Sequence, residues 1–223
     1  METKHVAQWG AWITPGRRRR ALLFLIALSL LFALLASVVH SVWLLHWDEA
    51  TTRALQRFRS PWLDGVIEGI TFFGSAPFLI ALAVLMMARW YRAGQPLAAR
   101  FCLLSLLGLP LNWLLKLPFD RARPSNHLVQ VVLEATGLSF PSGHAMASTV
   151  VYGFLAFLLW TNAPASKRRA YGVMFLALMP LCIGMSRIYL GDHWFSDVIG
   201  GWVAGLFCLI LLVEWYRTAD GNL

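Results

Sequence analysis

Long stretches without a charged residue constrain this chain more than any other feature of its sequence. Six of them contain no Asp, Glu, Lys or Arg: 21–47, 69–88, 101–115, 135–166, 170–186 and 198–213. Only 13% of the residues are charged and 58% are hydrophobic, whereas an average soluble domain has about 25% charged residues. This composition excludes a disordered chain, and three cysteines are too few for a disulfide scaffold. The sequence therefore predicts a membrane protein.

A bilayer core of about 30 Å needs about 20 apolar helical residues for each crossing. We expect an all-α, polytopic bundle of six transmembrane helices, near 21–44, 66–89, 98–117, 143–161, 170–189 and 194–216. The connecting segments are too short for a soluble domain, so residues 1–223 form one membrane-embedded domain. A signal peptide is the weaker interpretation of the N-terminal region, because the apolar run is long and lacks a clear small-residue cleavage site.

The basic residues predict the orientation of the bundle. With the N-terminus inside, 12 of the 19 Lys and Arg residues fall in inner segments and 7 in outer segments, as the positive-inside rule requires. We therefore expect an inner-membrane protein with both termini in the cytoplasm and residues 1–20 as a basic cytoplasmic segment. The arginine run at 17–20 directly precedes an apolar span, which favours a topological anchor over a nucleic-acid patch.

Ionisable residues collect at the outer ends of the predicted helices. They are Lys116, Arg121, Arg123, His144, Arg187, His193 and Asp197. Lysine and arginine suit a multivalent anion. Ser142 and Gly143, at the start of the fourth helix, add free backbone N–H groups and the positive end of the helix dipole. These features predict a phosphate-binding active site at the outer face.

Two histidines supply the chemistry for such a site. His193 and Asp197 are four residues apart and share a helix face, so the carboxylate can orient the imidazole as a nucleophile. His144 can protonate a leaving oxygen. Two histidines and an aspartate could instead hold zinc, but three neighbouring cationic side chains disfavour a metal. Each residue alone could be a helix-end group reaching the headgroups; the concentration on one face favours a site.

Three segments resemble the signature motifs of the type-2 phosphatidic acid phosphatase superfamily. Residues 116–124 are similar to K-x6-R-P, residues 141–144 to P-S-G-H, and residues 186–197 to S-R-x5-H-x3-D. They occur in order, and no signature position departs from the pattern. P-S-G-H alone would be a weak signal, but the three together are highly specific and cover the last four predicted helices. The first two helices match only the general six-span plan.

The resemblance implies a mechanism and a set of site residues. His193 would attack phosphorus and form a phosphohistidine, Asp197 would orient it, and His144 would protonate the leaving group. Phosphate-binding roles are implied for Lys116, Arg123, Ser142, Gly143 and Arg187. Phosphatases of this family need neither a metal nor a cofactor. The implied substrate is a membrane lipid phosphate that enters sideways from the bilayer, and no nucleic-acid partner is expected.

Several functions remain open at this point. The leading hypothesis is a lipid phosphatase acting on undecaprenyl diphosphate, phosphatidylglycerol phosphate or phosphatidic acid. A lipid phosphotransferase would use the same phosphohistidine. A vanadate-dependent haloperoxidase shares the motifs but is soluble, and a lipid carrier or channel would leave the nucleophile superfluous.

Residues outside the signature positions have expected roles of their own. Arg121 is expected to be a secondary contact of the site. His127 and Glu134 are the candidates for recognising the rest of a headgroup, and Glu68 could approach the site. Gly201 and Gly205 form a GxxxG pair, which close packing within the bundle explains as well as dimerisation does.

Overall fold

The computed structural model describes residues 15–132 and 136–221, with only the backbone of Pro15. Residues 1–14 of the predicted cytoplasmic segment, and Glu134, lie outside the described residues. Within the described ranges the chain forms nine α-helices. They are α1 (Pro15–Val38), α2 (Val42–Gln56), α3 (Pro61–Phe72), α4 (Ala76–Arg92), α5 (Pro96–Leu104), α6 (Gly108–Lys116), α7 (Gly143–Asn162), α8 (Lys167–Tyr189) and α9 (Phe195–Ala219). A short 3-10 helix, Ser105–Leu107, joins α5 to α6.

Five helical segments are long and apolar enough to cross a membrane. They are Gly16–Val38, Pro96–Lys116, Gly143–Asn162, Lys167–Tyr189 and Phe195–Ala219. The α3 and α4 pair supplies a sixth crossing if the two helices, which are bent by 48°, are counted as one span. The all-helical polytopic fold is therefore confirmed, and six crossings are reached with the bent pair.

The first predicted helix differs from the observed one. The α1 helix ends at Val38 rather than near 44, and a separate helix, α2, occupies a region predicted to be a loop. Residues 21–47 carry no charge, so the sequence pattern did not reveal the break. The α2 helix buries polar residues at a four-residue spacing, Asp48, Thr52 and Gln56, which is the reverse of the apolar stripe that identifies a helix packed on a soluble core.

The second predicted helix, near 66–89, is observed as α3 and α4. The break between them contains Gly74, which packs directly on the bundle. A Cβ at this position would lie 2.4 Å from Ile183 Cγ2 and 3.1 Å from His144 Cδ2. Glycine is therefore required for the bend to lie this close to α7 and α8.

Helix α7 lies at the centre of the bundle. Two thirds of its most apolar window (67%) is buried, whereas none of the corresponding window of α1 is. Near the C-terminal end of α9, Tyr216 packs edge-on against Phe101 and Phe154, with ring centroids 5.3 and 5.8 Å apart. The first residues of α7 belong to the second signature motif, so the most buried helix presents that motif.

The glycine pair of α9 packs against α7 within the chain. A Cβ at Gly201 would lie 2.6 Å from the carbonyl oxygen of Ser142, and one at Gly205 would lie 2.8 Å from the carbonyl oxygen of Met146. Real Cβ atoms essentially never come so close to backbone atoms. The GxxxG pair therefore sets the distance between α7 and α9, whose first turns carry His144 and Asp197.

We predict that Gly205→Ala destabilises the protein, because the added methyl group collides with Met146 O and with Thr149 Cβ, 2.7 Å away. Overpacking of this kind costs about 1–3 kcal/mol of unfolding free energy. The thermal unfolding midpoint in detergent should fall. The matched control is Gly69→Ala, where no heavy atom outside the local backbone of its own helix lies within 4 Å of the new Cβ. Equal midpoints for the two variants would contradict this account of the α7–α9 contact.

Candidate active site

His193 lies in the turn between α8 and α9, next to the first turn of α9. Its Nδ1 atom is 3.4 Å from Asp197 Oδ2 and 3.4 Å from Ser139 Oγ. Ser139 Oγ also donates to Asp197 Oδ2, and the backbone N–H of Trp194 donates to the same oxygen at 2.9 Å. The side chain of His193 is only 2% exposed, and that of Asp197 is fully buried. Two donors thus hold Oδ2 of Asp197, the oxygen that faces Nδ1 of His193.

The other ring nitrogen of His193 faces a guanidinium group. Nε2 lies 3.2 Å from Nη1 of Arg123, and arginine can only donate. Nε2 must therefore accept, which places the ring proton on Nδ1 and a lone pair on Nε2. Burial lowers the pKa of His193 to about 3; the hydrogen bond to Asp197 opposes this shift and the charge of Arg123 adds to it. The imidazole is therefore neutral near pH 7, as a nucleophile must be.

Three cationic side chains, Lys116, Arg123 and Arg187, lie close enough to influence one another and His144. Lys116 and Arg123 also act on His193. The ammonium of Lys116 donates to the carbonyl oxygens of Leu138 at 2.5 Å and Ser139 at 3.2 Å. Arg123 donates to two backbone carbonyl oxygens, at 2.8 and 3.0 Å. Carbonyl acceptors orient both cations without neutralising them, so their charges remain available to an anion.

Arg187, near the end of α8, is held by two neighbours. Its Nη1 donates to Thr71 Oγ1 of α3 at 2.8 Å, and its Nη2 forms an ion pair with the carboxylate of Asp192. Asp192 is 2% exposed and directly precedes His193 in the chain. The site therefore contains a carboxylate beside His193, and a phosphate group that binds Arg187 would share this guanidinium with Asp192.

The N-terminus of α7 closes the site from a third direction. Ser142 N donates to the backbone oxygen of Asp197 at 2.9 Å, and the buried Ser142 Oγ has no hydrogen-bond partner among the described residues. A Cβ at Gly143 would lie 2.9 Å from Asn112 Oδ1, so any larger residue there would have to displace the Asn112 side chain. His144 interacts electrostatically with Arg187, His193, Arg123 and Lys116. A free hydroxyl, a helix N-terminus and three cations together can bind a phosphate group.

Comparison with known proteins agrees with this chemistry. The family model of the PAP2 superfamily matches residues 96–220. The chain belongs to the PAP2 superfamily. It is 33% identical over 190 residues to phosphatidylglycerophosphatase B of Bacillus subtilis, which covers 84% of this chain and 92% of that protein. It is 30% identical over 160 residues to a putative undecaprenyl-diphosphatase of Escherichia coli, covering 63% of this chain and 76% of that one.

A solved structure supports the same assignment. The crystal structure of a transmembrane PAP2-type phosphatidylglycerolphosphate phosphatase from Bacillus subtilis superposes with a TM-score of 0.77 and 32% identity, covering 87% of this chain and 96% of that chain. The motif-based resemblance to the type-2 phosphatidic acid phosphatases is therefore confirmed. Like its relatives, this PAP2 protein is an integral membrane enzyme of the lipid phosphatase class.

The eight predicted site residues of this PAP2 protein all come from three segments that meet at one end of the bundle. Arg121, expected to be a secondary contact, has different partners from those of Lys116, Arg123 and Arg187. It is 4% exposed, donates to Asp197 Oδ1 at 2.6 Å and to Asp48 Oδ2 at 2.7 Å. His127 and Glu68 are exposed, and neither forms a hydrogen bond with a site residue in the described ranges.

Sequence analysis missed four polar residues at the site: Asp48, Thr71, Ser139 and Asp192. Asp48 and Thr71 lie outside the three motifs and outside the segment that the PAP2 family model matches. Ser139 and Asp192 lie beside motif residues, at positions without a signature residue. Their proximity to the motifs was the only available signal. In the described ranges, no group of three His, Cys, Asp or Glu side chains could hold a metal ion.

We predict that His193 stays in the neutral Nδ1–H form from about pH 8 to about pH 5, because its lowered pKa of about 3 lies below this range. The 15N shifts of its ring nitrogens, recorded on histidine-labelled protein in detergent, should show this tautomer throughout. The His193→Gln spectrum identifies the resonances by their disappearance. Movement towards imidazolium shifts within this pH range would contradict the assignment.

Proposed function

We propose that the chain hydrolyses the phosphate or diphosphate headgroup of a membrane lipid through a phosphohistidine on His193. The observation that carries the proposal is the placement of the two ring nitrogens. Nδ1 faces Asp197, and the unprotonated Nε2 faces the guanidinium of Arg123 at 3.2 Å. A phosphate oxygen bound to this guanidinium brings phosphorus towards the lone pair that must attack it.

In the first step the Nε2 lone pair attacks phosphorus, and the bond between phosphorus and the lipid oxygen breaks. His144 gives a proton to that leaving oxygen. The phosphate oxygens are held by Lys116, Arg123, Ser142, Gly143 and Arg187. The ring acquires a positive charge when the N–P bond forms, and Asp197 stabilises this charge through the Nδ1 proton.

In the second step water cleaves the phosphohistidine. His144, now neutral, accepts a proton from the attacking water, and the N–P bond breaks as the new P–O bond forms. Inorganic phosphate is released and His193 returns to its neutral form. No metal or cofactor enters either step, because the cationic side chains and the N-terminus of α7 stabilise the phosphate charge.

The relatives support a lipid headgroup as the substrate. Their names specify a phosphatidylglycerophosphatase and a putative undecaprenyl-diphosphatase, so both a glycerophospholipid monophosphate and an isoprenyl diphosphate are candidates for this chain. The bend between α3 and α4 lies against His144 through Gly74. A site beside this bend is compatible with a substrate whose tail stays in the bilayer.

We further propose that the site faces the periplasm or exterior and that both termini are cytoplasmic. The excess of Lys and Arg in the segments on the opposite side supports this orientation. Lys167, Arg168 and Arg169 lie at the start of α8, at the end of the bundle away from His193. In this orientation the phosphate is released outside the cytoplasm.

We predict that His193→Ala abolishes phosphate release, because the substitution removes the attacking nitrogen that Asp197 orients, and that EDTA leaves the unsubstituted enzyme fully active. The assay measures phosphate released by detergent-solubilised protein from phosphatidylglycerol phosphate, undecaprenyl diphosphate and phosphatidic acid. The matched control is His46→Ala, at an exposed histidine of α2, which should retain activity. With a substrate that carries a labelled phosphate, transfer of the label to a lipid acceptor without its appearance as free phosphate would identify a phosphotransferase instead.

We predict that a cysteine at His127 is labelled from outside intact cells by a membrane-impermeant maleimide, and that a cysteine at Arg168 is labelled only after lysis. Both positions are exposed. The background should lack Cys102, Cys182 and Cys208. The reverse pattern would place the site on the cytoplasmic side and contradict the proposed orientation.

A further inference from the structure

Helix α2 packs a polar face on the active-site end of the bundle. Asp48, Thr52 and Gln56 lie on its buried side, whereas Trp43 and Trp47 on other faces are 55% and 68% exposed. The helix lies outside both the PAP2-matched segment and the candidate membrane spans. A buried carboxylate on such a helix costs free energy unless it is paired, so its partners indicate its role.

Asp48 is 1% exposed, and donors face both of its oxygens. Ser196 N donates to Oδ1 at 2.8 Å, and Ser196 Oγ donates to Oδ2 at 2.6 Å. Arg121 Nη2 donates to Oδ2 at 2.7 Å. Burial raises the pKa of Asp48, but every group facing its oxygens is a donor, so the ionised form is the one that this geometry satisfies.

Arg121 connects Asp48 to the catalytic carboxylate. Its Nη1 donates to Asp197 Oδ1 at 2.6 Å and to Ser196 Oγ at 2.7 Å. Asp197 therefore accepts from Arg121 on one oxygen and faces His193 with the other. Arg121 lies between two carboxylates, and the Asp197 oxygen that it contacts is not the one nearest His193.

We propose that Asp48 is a positioning residue for the phosphohistidine reaction and acts through Arg121 on Asp197. This inference rests on the proposed function. Without Asp48, Arg121 would form an ion pair with Asp197 alone and cancel the negative charge that the ring of His193 needs when the N–P bond forms. With Asp48, the three side chains carry one net negative charge, and Arg121 is held in the position that orients Asp197.

The test is the single-turnover rate of phosphohistidine formation in Asp48→Asn. The substrate is whichever of phosphatidylglycerol phosphate, undecaprenyl diphosphate and phosphatidic acid the unsubstituted protein hydrolyses fastest, labelled in its terminal phosphate. This rate constant does not depend on the fraction of folded protein, so a variant that only lowers that fraction keeps the same rate constant. We expect a decrease of about 10- to 100-fold, the size of effect that slight misplacement of a reacting group produces. The lipid concentration that half-saturates this single-turnover rate should not change, because Asp48 bonds to Arg121 and Ser196 and to none of the phosphate-binding residues.

The matched control is Glu49→Gln, the same chemical change at the neighbouring residue. Glu49 forms an ion pair with Arg53 at 2.6 Å, and Glu49→Gln should not change the rate of phosphohistidine formation. Asp48→Glu, which keeps the charge, should recover part of the activity. In an Arg121→Gln background, Asp48→Asn should have little further effect, since its influence passes through the guanidinium.

If Asp48→Asn does not fold, Ser196→Ala removes a donor to Asp48 without removing a charge, and it should slow phosphohistidine formation by a smaller factor. A folded Asp48→Asn protein that forms phosphohistidine as fast as Glu49→Gln would overturn the inference, as would a full effect of Asp48→Asn in the Arg121→Gln background. An unsubstituted protein that forms no phosphohistidine on His193 would instead overturn the proposed function.

Discussion

The hydrogen bonds to the Asp197 carboxylate are the interaction on which the rest of the site depends. Each oxygen accepts from a different part of the chain: Oδ1 from Arg121, and Oδ2 from Ser139 and the start of α9. Only with both oxygens fixed does the carboxylate face His193 in one orientation. A fully buried carboxylate without these donors would cost several kcal/mol, so the segments that carry the donors must be in place for the site to form.

The glycines of α9 allow the segments around Asp197 to come close together. Close contact of Gly201 with Ser142 and of Gly205 with Met146 brings the first turns of α7 and α9 together. Ser142 N can then donate to the backbone of Asp197 at 2.9 Å. In a bilayer, packing of small residues is a main source of helix association. The contact that holds α7 and α9 together therefore also sets the spacing between the N-terminus of α7 and Asp197.

The sequence was sufficient for the parts of the protein that follow from composition and from motifs. Uncharged stretches predicted the membrane helices, and three motifs predicted the family and a set of residues that the structure brings together; their individual roles stay a prediction. The missed features depend on tertiary contacts. The break after Val38 lies within an uncharged stretch, and Asp48 belongs to no motif. Its burial depends on Arg121, which is distant in sequence, so no local pattern could reveal it.

The charges at the site also fit a phosphate substrate. The site contains four cationic side chains and three carboxylates. The cations are Lys116, Arg121, Arg123 and Arg187, and the carboxylates are Asp48, Asp192 and Asp197. With both histidines neutral, one positive charge remains. A phosphate dianion together with a proton on His144 brings the sum to zero. Because net charge is costly at membrane depth, the proposed mechanism implies that the substrate and the proton of the general acid bind together. The buried carboxylates thus reduce the net positive charge of the site while no lipid phosphate is bound.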